Sequence, residues 1–208
     1  MAEELGKIHK PPVESFKKGR KLIFVPLLFE SPEPSEGHTE KFNRYWEQAT
    51  RQVEELVAKL GAVAKIYHEL VAESGESGVK AIEELNKKSH KIVSDFLAKK
   101  AELEALEDAD ILTEFMDWNR CLLMGLQNPK VISKVYDAYL ETGKKRNEKI
   151  AKKIDETLKP DEIGILLMRE NHQVQFPPDI QIIYVAPPAL DEIKRWLRDR
   201  ERQPSEDK

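Results

Sequence analysis

His172 closes a stretch in which reactive groups are concentrated. Six largely apolar residues, Ile163 to Met168, run straight into Arg169, Glu170, Asn171 and His172. A second apolar run, IQIIYVAPP, follows almost at once. Imidazoles combined with carboxylates ligate zinc or manganese, and they also serve general acid–base chemistry. Similar groups recur elsewhere. Glu30, Glu33 and His38 follow KLIFVPLLF, His68 and Glu69 lie near the end of AVAKIYHELV, and ADILTEFMD carries Glu114 and Asp117 with Arg120 close behind.

These groups acquire meaning from where strands end. In open α/β sheets, ligands bind outside the carboxyl ends of the strands. If the apolar runs are parallel neighbours, His38, His68, Glu69 and His172 converge on one rim as the ligands of a divalent metal, manganese or zinc. Glu69 and His172 would double as acid–base groups, with Glu114 and Arg146 orienting or pairing with them. Adjacent residues of a strand face opposite ways, so only one of His68 and Glu69 can serve the site. The competing reading is that His68 and His172 simply satisfy backbone groups at strand ends. HExxH and GxSxG are absent, and the acidic loop after the first strand is unsuited to phosphate.

The elements needed to position these residues are legible in outline. Strands are expected at 21–29, 62–71, 162–169 and 180–186. Pro26 marks a bulge or an edge in the first. Helices are expected at about 40–60, 78–100, 128–158 and 189–200. The long one opens with Asn128 at the cap and Pro129 in its first turn, and Gly143 is a candidate bend. Residues 105–126 read as a short buried element followed by a helix to Gly125. Strands alternating with helices give an α/β fold with a largely parallel sheet of about four strands. The domain plan is an arm at 1–20, one domain at 21–200 and a disordered tail at 201–208.

Composition narrows the function classes. The chain has 208 residues, 35% of them charged, with a net charge of −4. Acidic and basic residues interleave, as in KKRNEKIAKKIDE, which argues against a nucleic-acid footprint and for ion pairs along helix faces. No apolar run approaches the ~20 residues of a membrane span, and MAEELGKIHKPP has no apolar signal core, so a cytoplasmic location is expected. The single cysteine, Cys121, reads as a small buried apolar residue.

Three stretches resemble the TraB/PrgY-type family: AKIYHEL, KKRNEKIAKKI and GILLMRENH, spread over about residues 60–175. The resemblance implies a metal-dependent hydrolase with Glu69, Arg146 and His172 in its site. It departs from the family's GxxH pattern, because Arg169 stands where glycine precedes His172. The functional expectation is therefore a hydrolase acting on a small-molecule or peptide substrate. The alternative is a non-catalytic binding or assembly protein using its charged helices and the C-terminal helix as surfaces, and a homo-oligomer is an expected partner state.

Overall fold

The structure is a computed structural model and describes residues 18–31 and 36–202. These form five strands: β1 (Arg20–Pro26), β2 (Lys65–His68), β3 (Glu102–Glu104), β4 (Ile163–Met168) and β5 (Ile180–Tyr184). Six helices accompany them: α1 (Glu36–Leu60), α2 (Gly75–Leu85), α3 (Lys87–Leu97), α4 (Ala109–Leu123), α5 (Pro129–Thr157) and α6 (Pro188–Arg202). All strand pairs are parallel, in the order β3-β2-β4-β1-β5. The fold is α/β, with five strands rather than about four.

Right-handed crossovers explain the layering. The chain passes from β1 across β4 to β2 with α1 on one face, and steps outward to β3. It then reverses to β4, which puts the helical crossover on the opposite face. One core joins Ile23, Val25 and Ile165 to α1, α3 and α6. The other joins Leu22, Phe24 and Leu166 to Ile150 and Ile154 of α5. Every residue of β4 is buried, as an unbroken apolar run between two helix layers requires.

Local chemistry sets several boundaries. Along β1, Leu27 donates its N–H to Met168 of β4, while Phe24 accepts from Val185 beyond β5. Pro26 therefore falls where the next N–H would face β5, and the β1–β5 ladder stops there. The Tyr45 hydroxyl donates to the carbonyl of Pro26, which the ended ladder leaves without a strand partner. Pro26 thus closes a central strand and marks no edge. Arg20 belongs to the strand rather than to the arm, since it bonds Asp155 and Asp179, each at 2.7 Å. Residues 1–17 of the expected arm and 203–208 of the expected tail lie outside the described residues.

The span read as one helix over 78–100 is two helices. Asn86 divides them: its side chain accepts from the N–H groups of Lys88 and Ser89 and donates to the Leu28 carbonyl at 2.7 Å. A cap inside an otherwise periodic sequence restarts the helix. ADILTEFM, expected to include a short buried element, begins α4, with Asp108 accepting the Ile111 N–H. No residue of α4 is buried, and Cys121 is only half-buried. α5 continues through Gly143 as one helix, and a Cβ there would lie 3.3 Å from the Phe115 ring.

Gly78, near the start of α2, is the tightest glycine. A Cβ would sit 2.3 Å from the Glu73 carbonyl oxygen and 2.9 Å from Leu103 of β3. Gly78→Ala is expected to cost about 1–3 kcal/mol as overpacking. A urea titration checks this; an unchanged midpoint would contradict the close approach.

Candidate functional site

β2 and β4 are neighbours, so their C-terminal ends deliver Glu69 and Arg169 side by side. The Glu69 carboxylate accepts the Arg169 backbone N–H at 2.8 Å and its Nη2 at 2.8 Å. From α5, Arg146 donates Nη2 to the same carboxylate at 3.1 Å. Arg146 also donates to Glu107, which follows β3, with Nε at 2.9 Å from the carboxylate. The result is an alternating chain, Glu107–Arg146–Glu69–Arg169, along the rim. The Glu107 side chain is fully buried, and those of Glu69 and Arg146 are 3% and 8% exposed.

Buried charges persist only when paired and hydrogen-bonded. Burial opposes the charge on Glu69, but Arg169 and Arg146 outweigh it and hold its carboxyl below the ordinary range. Burial likewise opposes the Arg146 charge, and Glu107 and Glu69 reverse that effect. Leu70, the next residue, has φ 69°, a left-handed conformation uncommon for leucine. Its N–H bonds the Glu107 carboxylate at 3.0 Å, which ties the turn to the same network.

His68 and Glu69 face opposite sides of the sheet, as alternation requires. His68 is fully buried. Its Nδ1 is 2.7 Å from the Glu69 carbonyl, which can only accept, so Nδ1 carries the proton. Nε2 is 2.9 Å from the Ser89 hydroxyl, whose single proton is also within reach of the Asn86 carbonyl at 3.0 Å; in the neutral ring Nε2 is an acceptor and shares that proton. Both nitrogens are occupied, and His68 fixes the backbone of Glu69 instead of entering the cleft.

The network opens into a cleft of about 240 Å³. Arg169, Asn171, His172 and Gln173 line one side, and Asn119, Leu140 and Lys144 are among the residues opposite. His172 packs against Phe24 and Phe176, with ring centroids 5.1 and 5.6 Å away. Its Nδ1 accepts the Val174 N–H at 3.2 Å, which places the proton of the neutral ring on Nε2. Burial keeps the ring below its ordinary pKa, against the attraction of Glu69. Nε2 has no partner among the described residues and is a hydrogen-bond donor. Glu170 turns away from the cleft, accepting from Tyr184 and Lys194.

The structure therefore brings Glu69, Arg146 and His172 together and leaves the other expected residues elsewhere. His38 lies in α1 on the opposite layer, between Phe42 and Trp196. Glu114 is on the exposed side of α4, bonded to Thr142 and Trp118, and does not line the cleft. Arg120 pairs with Asp117, not with Glu114. The four expected metal ligands, His38, His68, Glu69 and His172, are not assembled around a point. Among the described residues, no three His, Cys, Asp or Glu side chains form a group able to hold a metal ion. Glu69, between two guanidinium groups, is also a poor partner for a further cation, and a protonated Nε2 is not a metal ligand.

Sequence reading missed Glu107 and the role of Arg169. The strand before Glu107 is only three residues long, so its exit carries no visible apolar run. Comparison with family models, with curated proteins and with solved structures gives no match. No described helix is long and apolar enough to cross a membrane.

Proposed function

We propose that the rim cleft binds a small polar molecule through an acidic group, a carboxylate or phosphate, held by Arg169, Lys144 and His172. The observation that carries this reading is the donor set. Arg169 is 41% exposed and bonds Glu69 through Nε and Nη2, Nη1 has no partner among the described residues, and His172, with Nε2–H, lines the same cleft. Asn119, Asn171 and Gln173 add amides. Neighbouring carboxylates are already neutralised by the arginines.

Donors fixed before a ligand arrives also stabilise developing negative oxygen. The hydrolase expectation is retained as a reaction class. Water adds to the acyl carbon of an ester or amide in the bound molecule, the acyl C–O or C–N bond breaks, and the water's proton leaves on the departing alcohol or amine. Donors not engaged by the acid group face the oxyanion. Glu69 is a weak base between two arginines, so this reading gives it a positioning role. His172 acts as a donor, because a base at Nε2 would require the proton to move to Nδ1 and break the Val174 bond.

A thermal-shift panel of dicarboxylates and phosphate monoesters tests the reading. A ligand present at 100 times its Kd adds about 2.7 kcal/mol of stability. Arg169→Ala and His172→Gln should each weaken the response at least tenfold. A hit that both variants bind normally would place its site elsewhere.

A further inference from the structure

The cleft has two unlike walls. Arg169, Asn171, His172 and Gln173, which follow β4, make a wall of hydrogen-bond donors and amides. The helices contribute apolar surface: Phe115 and Met116 from α4, Tyr139 and Leu140 from α5. Lys144 lies one turn after Leu140 on the same face of α5, about 6 Å along the axis at 1.5 Å per residue. That face therefore changes from apolar to cationic within one turn, inside the cleft.

The apolar wall is set before any ligand arrives. Phe115 stacks on Tyr139 with ring centroids 4.9 Å apart, and the Arg146 guanidinium lies 5.1 Å from the Phe115 centroid. Gly143 makes room for this ring, since a Cβ there would come within 3.3 Å of it. Beside the aromatic pair, Leu140 is 48% exposed and Met116 is half-buried. Met is flexible and polarizable and adapts to a ring placed against it. Apolar side chains lining a concavity next to a few fixed polar groups are the arrangement that receives an amphiphilic small molecule.

The size of the cleft limits that molecule. At about 30 Å³ per water-sized group, a cleft of about 240 Å³ holds roughly eight such groups, which suits a ring or branched chain joined to one acid and is too little for a nucleotide. A dicarboxylate would bring its second charge against Met116 and Leu140, which offer it no hydrogen bond.

We infer that the ligand of this cleft is a compact monoacid, a carboxylate or phosphate monoester carrying an apolar group such as an aryl ring. Its acid meets Arg169, Lys144 and His172, and its apolar group lies against Met116, Leu140 and the Phe115–Tyr139 pair. The inference rests on the anion reading above and adds the other half of the molecule.

Titrations of the full ¹⁵N-labelled chain, followed by NMR, test it with two matched pairs: acetate against phenylacetate, and inorganic phosphate against phenyl phosphate. Within at least one pair, the phenyl compound should bind at least tenfold tighter than its parent. Covering on the order of 60 Å² of ring suffices for that factor at about 25 cal/mol per Å². The pair that shows it identifies the acid as carboxylate or phosphate. Leu140→Gln with Met116→Gln, which alters no charge and should leave the circular dichroism unchanged, should reduce the preference below about threefold. Arg169→Ala should weaken the phenyl compound at least tenfold. Equal affinities within both pairs, lost in Arg169→Ala, overturn this inference and leave the anion reading standing. A preference that survives Leu140→Gln with Met116→Gln overturns the assigned wall. No binding by any of the four, or phenyl compounds that bind Arg169→Ala undiminished, overturns both readings.

Discussion

Arg146→Ala is expected to lower stability by about 3–5 kcal/mol, the range for breaking a buried ion pair and leaving its partner charged. Arg146 is the side-chain partner of Glu107, whose remaining hydrogen bond comes from the Leu70 N–H. Removing it also takes one of two guanidinium groups from Glu69. Since folded domains are stable by only about 5–15 kcal/mol, the variant should unfold at markedly lower urea. Replacing the pair together, Arg146→Met with Glu107→Leu, should recover much of the loss, because two apolar groups leave no orphaned charge between them. A loss below about 1 kcal/mol for Arg146→Ala would mean that the network is hydrated and not buried as seen here.

The second large effect is acid destabilisation above the carboxylate range. Burial pushes His68 down to about 4, from 6.5 in an exposed histidine, against the pull of the Glu69 backbone and carboxylate. The unfolded chain therefore binds a proton on His68 between these values while the folded chain does not. Stability must fall as pH drops from 6.5 to about 4, and it is fully retained above 6.5. At about 1.4 kcal/mol per pH unit, this amounts to roughly 3 kcal/mol. His172, also lowered by burial, acts in the same direction. Glu69 adds its own loss only below its unfolded value of 4.5. Denaturation midpoints measured at intervals between pH 7.5 and 4.5 should fall, and His68→Gln should flatten most of that slope. An equally steep slope in His68→Gln would assign the effect to other groups.

The sheet was legible because its central strands are buried on both faces. GILLM can satisfy its backbone and hide its side chains only inside an α/β sandwich, and the runs at β1 and β4 announce this. β3 was not legible: it has one buried apolar residue, and Lys65 reaches Glu102 and Glu104 across its short ladder with β2. α4 misled for the opposite reason. Its apolar residues suggest burial, and the structure leaves them on a hairpin that no described element of the chain buries.

At the rim, the strand-exit rule pointed to Glu69 and His172, and both line one cleft. It could not tell which histidines face it. His38 was drawn in by its closeness to the first strand, but α1 carries it to the other layer. His68 was drawn in by adjacency to Glu69, but alternation turns it towards Ser89. Arg169, noted as a departure from GxxH, proves central to the arrangement, since its side chain and backbone N–H both grip Glu69. A guanidinium at this position of the rim favours an anion over a cation, in keeping with the ligand proposed above.

The most direct measurement is a long-range ¹H–¹⁵N correlation spectrum of the histidine side chains at pH 7, recorded with and without succinate and inorganic phosphate. His172 is expected as a neutral ring protonated at Nε2, with signals that shift saturably as one of these anions is added, while His68 stays fixed. A His172 ring protonated at Nδ1, or one that responds to neither anion, would contradict it.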